Sequence, residues 1–553
     1  MALQLVGRIK TGDILLDTDL RDIDIVTTEV GALLFTTTGQ NGGVTAWSLS
    51  DSGALARLAD SAHFAVWGMA IGAFDAISLD GKSQLILSGT GSGKLIRYGF
   101  GDDGALSKAG KIDLPGTTTQ NHDTLATATL TDGHNAVYTV NADTGVLAGW
   151  LSSGKGSLTS EIGFSTPLAP LDTNAPVMLI QATAGENQFL LSADSSAFGV
   201  RSYRIDPDTG TLAEKDSCGH ADGLGLALPT ALEAITVGGV TWVVLAAADS
   251  NSLSVMRLAA DGTLTPTDHI LDTRATRFDG VTALEVIEVD GHVFVLAGGA
   301  DDGISLFSLL PSGQLVHVES LAQETELGLR NVTGITATRI GDQIQIFISS
   351  GSEAGLSQFT LSLKSLGKVI DTAPAGSNQP HDGGSTDPQD IAGQSTLHGT
   401  AGNDILVAGT DGAILTGGAG ADIFVLQATT AQQRVTDFER GIDQLDLTLF
   451  PMLRSLDQLV LTPSGTGLTV QFRDMVVDIQ SQDGQPLSAQ DIWPNGLSTP
   501  DRLLLPAVDP NPQIEGTAKH DVLTGGDFGD LVKGGSGNDI LYGRGGDDSL
   551  HGE

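Results

Sequence analysis

The first 370 residues repeat one pattern seven times. Each copy has a small or acidic turn, a strand of alternating polarity, a turn with glycine, and a short strand that opens on Leu or Val. The copies start at Gly43, Gly93, Gly145, Gly199, Asn251, Asp302 and Gly355, about 50 to 54 residues apart. A repeat of this length is one supersecondary unit, which needs neighbouring copies to bury its apolar face.

Two further apolar runs precede each copy, such as ALEAITVGGVTWVVLAAA from Ala231 and ALEVIEVDGHVFVLAGG from Ala283. Each run is split by a Gly-containing hairpin turn, so each unit has four strands. Seven four-stranded units predict an all-β, seven-bladed β-propeller over residues 1–370, with a β-sandwich or solenoid as the alternative. Residues 3–10 are predicted to form an outer strand that pairs with the last blade and closes the ring.

The repeat shape, clearest in RSYRIDPDTGTLAE and NSLSVMRLAADGTLTP, resembles the lactonase-like propellers, the group that includes 6-phosphogluconolactonase-type enzymes. No catalytic constellation of that family can be placed on this chain. Polar residues do cluster in loops on one predicted face: His122, Asp123, Asp143, Asp249, Asp279, Asp301, Asp302, Arg330 and Glu353. They indicate either an acidic ligand-binding face or residues that simply suit tight turns.

Nine-residue repeats of the form G-G-x-G-x-D-x-hydrophobic-x follow the propeller region. They include GTAGNDILV, GGAGADIFV, GTAKHDVLT and GGSGNDILY. Six residues form a turn in which glycine permits positive φ, and three form a short strand. Two repeats complete one coil, so sixth-position aspartates 18 residues apart should stack: Asp404 with Asp422, Asp521 with Asp539, and Asp530 with Asp548.

Stacked carboxylates and turn carbonyls supply the oxygen ligands, about six to eight, that Ca²⁺ prefers. The predicted metal residues are therefore these six aspartates with the turn glycines Gly399, Gly417, Gly525, Gly534 and Gly543. Several Ca²⁺ ions are the expected cofactors.

The nonapeptides resemble the RTX (hemolysin-type calcium-binding) repeats of bacterial proteins that leave the cell by type I secretion. In that family the sixth-position Asp and loop carbonyls bind Ca²⁺ between coils, and the chain is exported unfolded and folds on reaching calcium. Residues 434–450 resemble the D-F-x-x-G-x-D segment that follows such repeats. Asp437, Asp443 and Asp446 are therefore expected to help cap the roll.

Composition divides the remaining chain. Residues 371–395 and 494–513 are rich in Pro, Gly, Ser and Asp, which predicts linkers. Between them, 396–493 is predicted to be an RTX β-roll with a C-terminal β cap, and 514–553 a second RTX β-roll. The sequence stops at HGE, two residues into another repeat, so we expect a piece of a longer protein.

Charge and cysteine content narrow the function. The chain has 28 Lys and Arg against 67 Asp and Glu, a net charge of −39, which argues against nucleic-acid binding. A single cysteine, Cys218, excludes an intrachain disulfide framework, and no apolar window is long enough for a transmembrane segment. The start, MALQLVGRIKTGD, lacks the layout of a cleavable signal peptide. Type I secretion to the extracellular space or cell surface is the expected route.

The sequence thus predicts a secreted calcium-binding protein whose propeller acts in adhesion or in a surface matrix. A glycan, a cell surface and another secreted protein stay open as partners, besides the type I secretion apparatus. The alternative is an extracellular lactonase- or hydrolase-like enzyme with its site at the propeller axis. That reading predicts His, Glu and Arg converging at one end of the channel, with His122 and Arg330 as the residues to mutate.

Overall fold

The computed structural model describes residues 2–39, 42–64, 73–79, 82–88, 94–115, 122, 124–152, 157–163, 171, 177–194, 199–371, 395–494, 496–497, 499–503, 505, 513–517, 519–524, 531–542 and 549–552. They form two compact units, Met1–Leu504 and Leu505–Glu553. No helix in the described part of the chain is long and apolar enough to cross a membrane.

Seven antiparallel sheets, named blades 1 to 7, form most of the first unit. Their strands, from the innermost outwards, are as follows. Blade 1 has Leu20–Thr28, Gly31–Thr38, Gly43–Ser48 and Arg57–His63; blade 2 has Phe74–Leu79, Lys82–Leu87, Lys94–Gly99 and Gly110–Asp113; blade 3 has Ala126–Thr129, Asn135–Val140, Leu147–Ser152 and Leu158–Glu161; blade 4 has Met178–Ala184, Asn187–Asp194, Gly199–Ile205 and Leu212–Gly219.

Blades 5 to 7 have the same four-stranded arrangement. Blade 5 has Pro229–Val237, Val240–Ala247, Ser252–Leu258 and Leu264–Leu271; blade 6 has Ala283–Val289, His292–Gly298, Gly303–Leu309 and Leu315–Ala322; blade 7 has Val332–Ile340, Gln343–Ser350, Leu356–Ser362 and, outermost, Leu3–Ile9. Short helices occupy Ile14–Asp17 and His220–Asp222. The all-β class and the seven-bladed propeller are confirmed.

The N-terminal strand closes the ring. Leu3 lies opposite Leu361 and Ile9 opposite Leu356 in an antiparallel pair, and Arg8 adds a 2.9 Å ion pair to Glu353. Because this strand fills the fourth position of blade 7, the segment Leu366–Asp371 is left over. The repeat pattern assigned that segment to the propeller, which is wrong: it pairs in parallel with Asn403–Val407 in the roll described below.

Apolar side chains fill the space between neighbouring blades. Leu33, Phe35, Leu85 and Leu87 form one such core between blades 1 and 2. The strands are nearly continuous apolar runs there because both faces of each central strand are covered. The blades are thus layers of one ring, and each layer depends on its neighbours for burial.

Acidic side chains at β-bulges tie each of four blades to the next one. The carboxylates accept a hydrogen bond from a backbone N–H at 2.8 Å in each case: Asp60 from Leu106, Asp216 from Leu264, Asp268 from Leu315 and Glu319 from Leu3. Each acid lies at an irregularity in the pairing of the outer strand. Bulges re-aim a side chain, which here brings the carboxylate to the adjacent sheet.

A β-roll follows the propeller within the same unit. One sheet is parallel and consists of Leu366–Asp371, Asn403–Val407, Ile423–Val425 and Gln444–Asp446; the other has Ser395–His398, Ala413–Thr416, Gln433–Phe438, Met475–Ser481, Gly467–Phe472 and Val460–Pro463. The last two strands pair antiparallel and form a cap with the helices Leu456–Gln458 and Ala489–Ile492. The parallel strands agree with the predicted β-roll, whose outer boundaries remain a prediction.

A short strap returns from the cap to the propeller. Asp501–Arg502 adds a fifth strand to blade 5, with Arg502 opposite Ile270. The Arg502 guanidinium pairs with Asp268, and both side chains are almost completely buried, at 4% and 3% exposure. The segment lies in the stretch predicted as a linker, so at least this part of it is ordered against blade 5.

The second unit contains a smaller roll of parallel strands. One sheet has Gln513–Glu515, Leu531–Lys533 and Ser549–His551, and the other has Val522–Thr524 and Ile540–Tyr542. Strand partners are 18 residues apart, as Val522 lies opposite Ile540.

Candidate functional site

The nine-residue period places alternate side chains of the first roll in two different cores. Leu406 and Phe424, at the eighth position of their repeats, are fully buried inside the roll. Ile405, Val407 and Ile423, on the opposite face of the same strands, are buried against blades 6 and 7 of the propeller. The parallel sheet of the first roll therefore lies between the interior of the roll and the propeller.

Asp404 and Asp422 stack on adjacent coils, as their spacing predicts. The backbone N–H of Asp404 donates to Asp422 Oδ1 at 2.8 Å. Asp404 Oδ2 accepts from Thr400 N at 2.7 Å, and its Oδ1 accepts from Lys368 N at 2.6 Å. The structure thus brings these two predicted metal residues together and adds a third coil, which begins with the strand Leu366–Asp371.

The stack of acidic side chains that begins with Asp404 and Asp422, here called the acidic ladder, continues through residues expected to cap the roll. Asp443 Oδ1 accepts from Asp422 N at 3.0 Å, and Asp437 accepts from Gly417 N at 2.9 Å and Gly418 N at 2.8 Å. Asp446 instead closes a local turn with Thr448 N at 2.7 Å. Asp437 and Asp443 therefore belong to the ladder itself rather than only to its end.

Burial and repulsion from neighbouring carboxylates shift the pKa of two of these residues, Asp422 and Asp443. The pKa of Asp422 is raised to about 6 and that of Asp443 to about 7. Burial is the largest cause of both shifts, and neighbouring carboxylates add to them. A raised pKa means that the folded protein disfavours the charged form. A cation between the coils would remove that penalty, since an opposite charge favours the ionised carboxylate.

The turn glycines leave no space for a side chain. A Cβ on Gly417 would lie 2.3 Å from Asp422 Oδ2, and one on Gly418, whose φ is +99°, would lie 2.1 Å from the Thr400 carbonyl oxygen. Carbonyl and carboxylate oxygens therefore crowd the turn from the adjacent coil. Only glycine allows this approach at positive φ.

This donor set suits Ca²⁺. It consists of carboxylate and backbone carbonyl oxygens, the hard ligands that calcium takes. No three His, Cys, Asp or Glu side chains in the described part of the chain converge as a metal cluster, so the carbonyls of the turns would have to complete the coordination. The residues that would hold an ion are Asp404 and Asp422, with carbonyl oxygens from the turns of Gly399 and Gly417.

The second roll repeats the arrangement. Asp521 N donates to Asp539 Oδ1 at 2.9 Å, and Thr517 N donates to Asp521 Oδ2 at 2.7 Å. A Cβ on Gly534 would meet Asp539 Oδ2 at 2.8 Å. The other predicted metal residues of this block lie outside the described residues: Asp530, Asp548, Gly525 and Gly543.

A second polar feature lies at the propeller axis. The innermost strands of all seven blades line a cavity of about 770 Å³. Five carboxylates face it, with Arg21 as the basic side chain among the described lining residues: Asp22, Asp24, Asp75, Glu233 and Glu285. Sequence reasoning missed them, although an acid that recurs in otherwise apolar inner strands, as in ALEAIT and ALEVIE, was an available signal.

The axial carboxyls repel one another. Burial raises the pKa of Asp22 to about 7, and Asp24 adds to that shift; burial also raises the pKa of Glu233 to about 8, with Asp24 and Asp22 contributing. Glu285 is shifted in the same direction by burial and then by Glu233. Burial and repulsion therefore make these groups easier to protonate than carboxyls in water.

These shifts predict that stability rises as the pH falls from about 8.5 to 7. The folded pKa values of Glu233 and Asp22 lie above the unfolded values near 4, so the folded state binds more protons in this window, and protons stabilise it. Thermal melts at constant millimolar calcium should show a rise of a few degrees. Glu233→Gln should flatten the slope, whereas Asp457→Ala, an exposed carboxylate of the cap, should not. A slope of opposite sign in the parent protein would contradict the prediction.

His122 does not form a catalytic site. Its ring is buried at 4% exposure, Nδ1 is 2.8 Å from Thr139 Oγ1, and Trp150 packs against it edge-on. Burial lowers the pKa of His122, so it is a neutral core side chain. Asp123 lies outside the described residues. The enzyme interpretation predicted that His, Glu and Arg converge at one end of the channel. Among the described residues that line the axial cavity, Arg21 is present, whereas His122 and Arg330 are not.

The remaining loop residues are mostly turn and pairing residues. Asp143 and Asp249 are exposed in turns, and Arg330 pairs with Glu353 at 3.9 Å. Asp302 accepts from Asn331 N at 3.0 Å. The exception is Asp301, whose pKa is raised to about 7. Burial is the largest cause, and the nearby carboxylates of Asp272 and Asp279 add to the shift. Arg277, 4.0 Å away, opposes the shift.

Several solved structures are similar to part of the chain. They include a protein from Lactobacillus plantarum (15% identity, TM-score 0.43, covering 59% of this chain and 96% of that one) and a Bacteroides fragilis protein named as a candidate 6-phosphogluconolactonase (16%, 0.43, 58% and 95%). A third is the periplasmic gluconolactonase of Pseudomonas aeruginosa (16%, 0.40, 59% and 93%). No curated protein sequence matches the chain.

Two parts of the chain match the family described as the RTX calcium-binding nonapeptide repeat. The matched residues are 398–426 and 524–553, with four copies in total. The first match includes Asp404 and Asp422 of the first roll, and the second includes Asp539 of the second roll. The chain therefore carries two blocks of RTX calcium-binding repeats in one polypeptide with a seven-bladed β-propeller.

Proposed function

We propose that this is a secreted protein whose rolls fold on binding Ca²⁺ outside the cell and thereby stabilise a propeller that binds a partner. The observation that carries the proposal is the double role of the first roll. Its carboxylates stack toward neighbouring coils, while Ile405, Val407 and Ile423 of the same strands pack on the propeller. Calcium binding in the roll is thus linked to the propeller through a shared core.

The chain's own residues account for the calcium dependence. Without a cation, Asp404, Asp422 and Asp443 lie close enough to repel one another, and short strands of three to five residues offset little conformational entropy. Bound Ca²⁺ supplies positive charge to the carboxylates. At about 1 mM calcium and a Kd of about 0.1 mM, each site adds roughly 1.4 kcal/mol. Several sites together decide whether the roll is folded.

Export by a type I route follows from the same dependence. Cytosolic calcium is too low to fold the rolls, so the chain would stay unfolded until it reaches the outside. The sequence supports this with a single cysteine, Cys218, which is buried and makes no disulfide. A protein without disulfides outside the cell needs another source of stability, and bound calcium supplies it.

The propeller is proposed to bind a protein or cell surface rather than a glycan. Sugar recognition by stacking needs exposed aromatic rings, yet the tryptophans of the described residues are all buried: Trp47, Trp150, Trp242 and Trp493. An adhesive or surface-matrix role better fits an acidic chain in which no described tryptophan is exposed. Binding of the full-length protein to surface proteins and to a glycan array would separate the two.

A calcium titration of designed variants tests the proposal. We expect Asp422→Ala to lose most of the calcium-induced rise in melting temperature, because it removes one carboxylate of the stacked pair and leaves Asp404 N without its acceptor. Asp457→Ala, an exposed carboxylate of the cap, should retain the full rise. Equal calcium responses of the two variants would reject the first roll as the calcium site.

A second candidate function rests on the axial cavity. Carboxyls whose pKa lies near neutrality, such as Asp22 and Glu233, can donate or accept a proton in a hydrolytic step. A lactone screen of the full chain tests this, with Glu233→Gln as the inactivating variant and His122→Ala as a control outside the cavity. Absence of any hydrolysis, or hydrolysis that survives Glu233→Gln, would rule the site out.

A further inference from the structure

The strap shows how the outer edge of a blade takes up an extended segment. It adds to blade 5 as an antiparallel strand, and Leu503 N donates to the His269 carbonyl oxygen at 3.0 Å. The Arg502 guanidinium pairs with Asp268 and donates to the Leu315 carbonyl oxygen of blade 6 at 2.6 Å. Backbone pairing along the edge and one arginine on the bulge carboxylate therefore hold this segment in place.

The same carboxylate geometry recurs in blade 1. Asp268 lies at the bulge of its outer strand, where Oδ1 accepts from the N–H of the next residue at 2.9 Å and Oδ2 accepts from blade 6 at 2.8 Å. Asp60 also lies at such a bulge, and its Oδ1 and Oδ2 accept from Ser61 N and from Leu106 N of blade 2, both at 2.8 Å. The Asp60 carboxylate is therefore fixed in the same way relative to its own strand and to the next blade.

The outer edge of blade 1 is open in the part of the chain that the structure describes. No described strand pairs with the outer side of Arg57–His63, and Leu58 is 44% exposed there. Ser61 is exposed as well, and Asp60 is only partly buried, whereas Asp268 beside the strap is 2% exposed. Blade 1 therefore has the carboxylate of blade 5 without a described segment that covers it.

Blade 4 has the same carboxylate but a closed edge. Asp216 accepts from the N–H of the next residue and from blade 5, both at 2.8 Å. Gly219 ends the outer strand of blade 4, as Leu271, which lies opposite the strap, ends that of blade 5. Gly219 N already donates to Asp222 Oδ2 at 2.8 Å. A further strand could not pair there without breaking that bond, so blade 1 has the more accessible edge.

We propose that the outer edge of blade 1 binds an extended, arginine-containing segment of a partner protein, with Asp60 as its anchor. Main-chain hydrogen bonds along an exposed strand supply affinity for such a segment, and the guanidinium supplies specificity because its planar fork matches a carboxylate. The net charge of −39 favours a basic partner over an acidic one. The inference rests on the proposed partner-binding function of the propeller and names the chemistry of that partner.

A peptide with the sequence of the strap region, STPDRLLL, is the probe that tests this edge. Fluorescence anisotropy of the labelled peptide with the full-length chain in millimolar calcium should give a dissociation constant on the order of 100 µM. Asp60→Asn should weaken binding at least tenfold, and asparagine keeps an acceptor oxygen for Leu106 N. Asp216→Asn is the matched control and should bind like the parent. The peptide STPDALLL, which lacks the guanidinium, should bind the parent at least tenfold more weakly.

Binding that Asp60→Asn does not weaken would overturn the proposal, because the peptide would then exchange with the strap on blade 5 or bind elsewhere. Equal affinity for the two peptides, or no binding at about 1 mM peptide, would overturn it as well. Dimerisation of the chain alone that Asp60→Asn abolishes would make a second copy the occupant, which would overturn the assignment to a partner protein.

Circular dichroism with and without calcium separates this inference from the proposed function. Rolls that do not respond to calcium, in a chain that still binds the peptide through Asp60, contradict the proposed function alone. Rolls that fold on calcium, in a chain whose peptide binding does not depend on Asp60, contradict the edge site alone.

Discussion

Asp268→Ala should destabilise the full-length protein by about 3–5 kcal/mol, because it leaves the buried Arg502 guanidinium without a counter-charge. The same change removes the 2.8 Å acceptor of Leu315 N, which ties blade 5 to blade 6. The strap and the ring are therefore weakened together. Urea unfolding in the presence of calcium measures the effect.

The matched control is Asp290→Asn, because Asn also tolerates the positive φ of 52° at this position. Asp290 pairs with Arg339 in an exposed ion pair, with the two side chains 56% and 43% accessible, so its loss should change the stability by less than about 1 kcal/mol. If both variants unfold at the same urea concentration, the strap contributes nothing to the fold.

Ile423→Asp should uncouple the propeller from calcium. Ile423 is 5% exposed between the roll and blades 6 and 7, and an unpaired carboxylate there should destabilise the contact by about 4 kcal/mol or more. In the parent protein, calcium should raise the unfolding temperature of the propeller as well as that of the roll. In the variant, the propeller transition should no longer respond.

Differential scanning calorimetry with and without calcium resolves these transitions. Val460→Asp is the control, because Val460 is 61% exposed in the cap and a charge there should alter stability by about 0.5 kcal/mol at most. A propeller in the Ile423→Asp variant that still gains the parent's calcium response would show that the shared core does not carry the linkage.

Periodicity made the main architecture predictable. Four strands in each unit of about 50 residues indicated the blades, and the nine-residue repeat placed Asp404 above Asp422, because a fixed coil length leaves little freedom for the stack. The N-terminal strand was predictable for a related reason, since a ring of sheets must close. Local patterns of this kind are visible without knowledge of distant contacts.

Features that depend on long-range contacts were not predictable. The segment Leu366–Asp371 has the composition of a propeller strand. It pairs in the roll because the N-terminal strand already occupies the fourth position of blade 7. Arg502 lies in a Pro-rich stretch with no periodicity, and its partner Asp268 is more than 200 residues away. The axial acids can be found in the sequence, but the sequence does not show that they meet. They converge only when the seven blades are assembled.

Hydrogen exchange of the full chain with calcium and after exhaustive chelation tests the central claim most directly. We predict that the amides of Asn403–Val407 and Ile423–Val425 are protected in millimolar calcium and exchange rapidly after chelation, while the central strands of blades 2 to 5 stay protected. If the roll strands remain as protected without calcium as with it, the stacked aspartates do not make this fold depend on the cation.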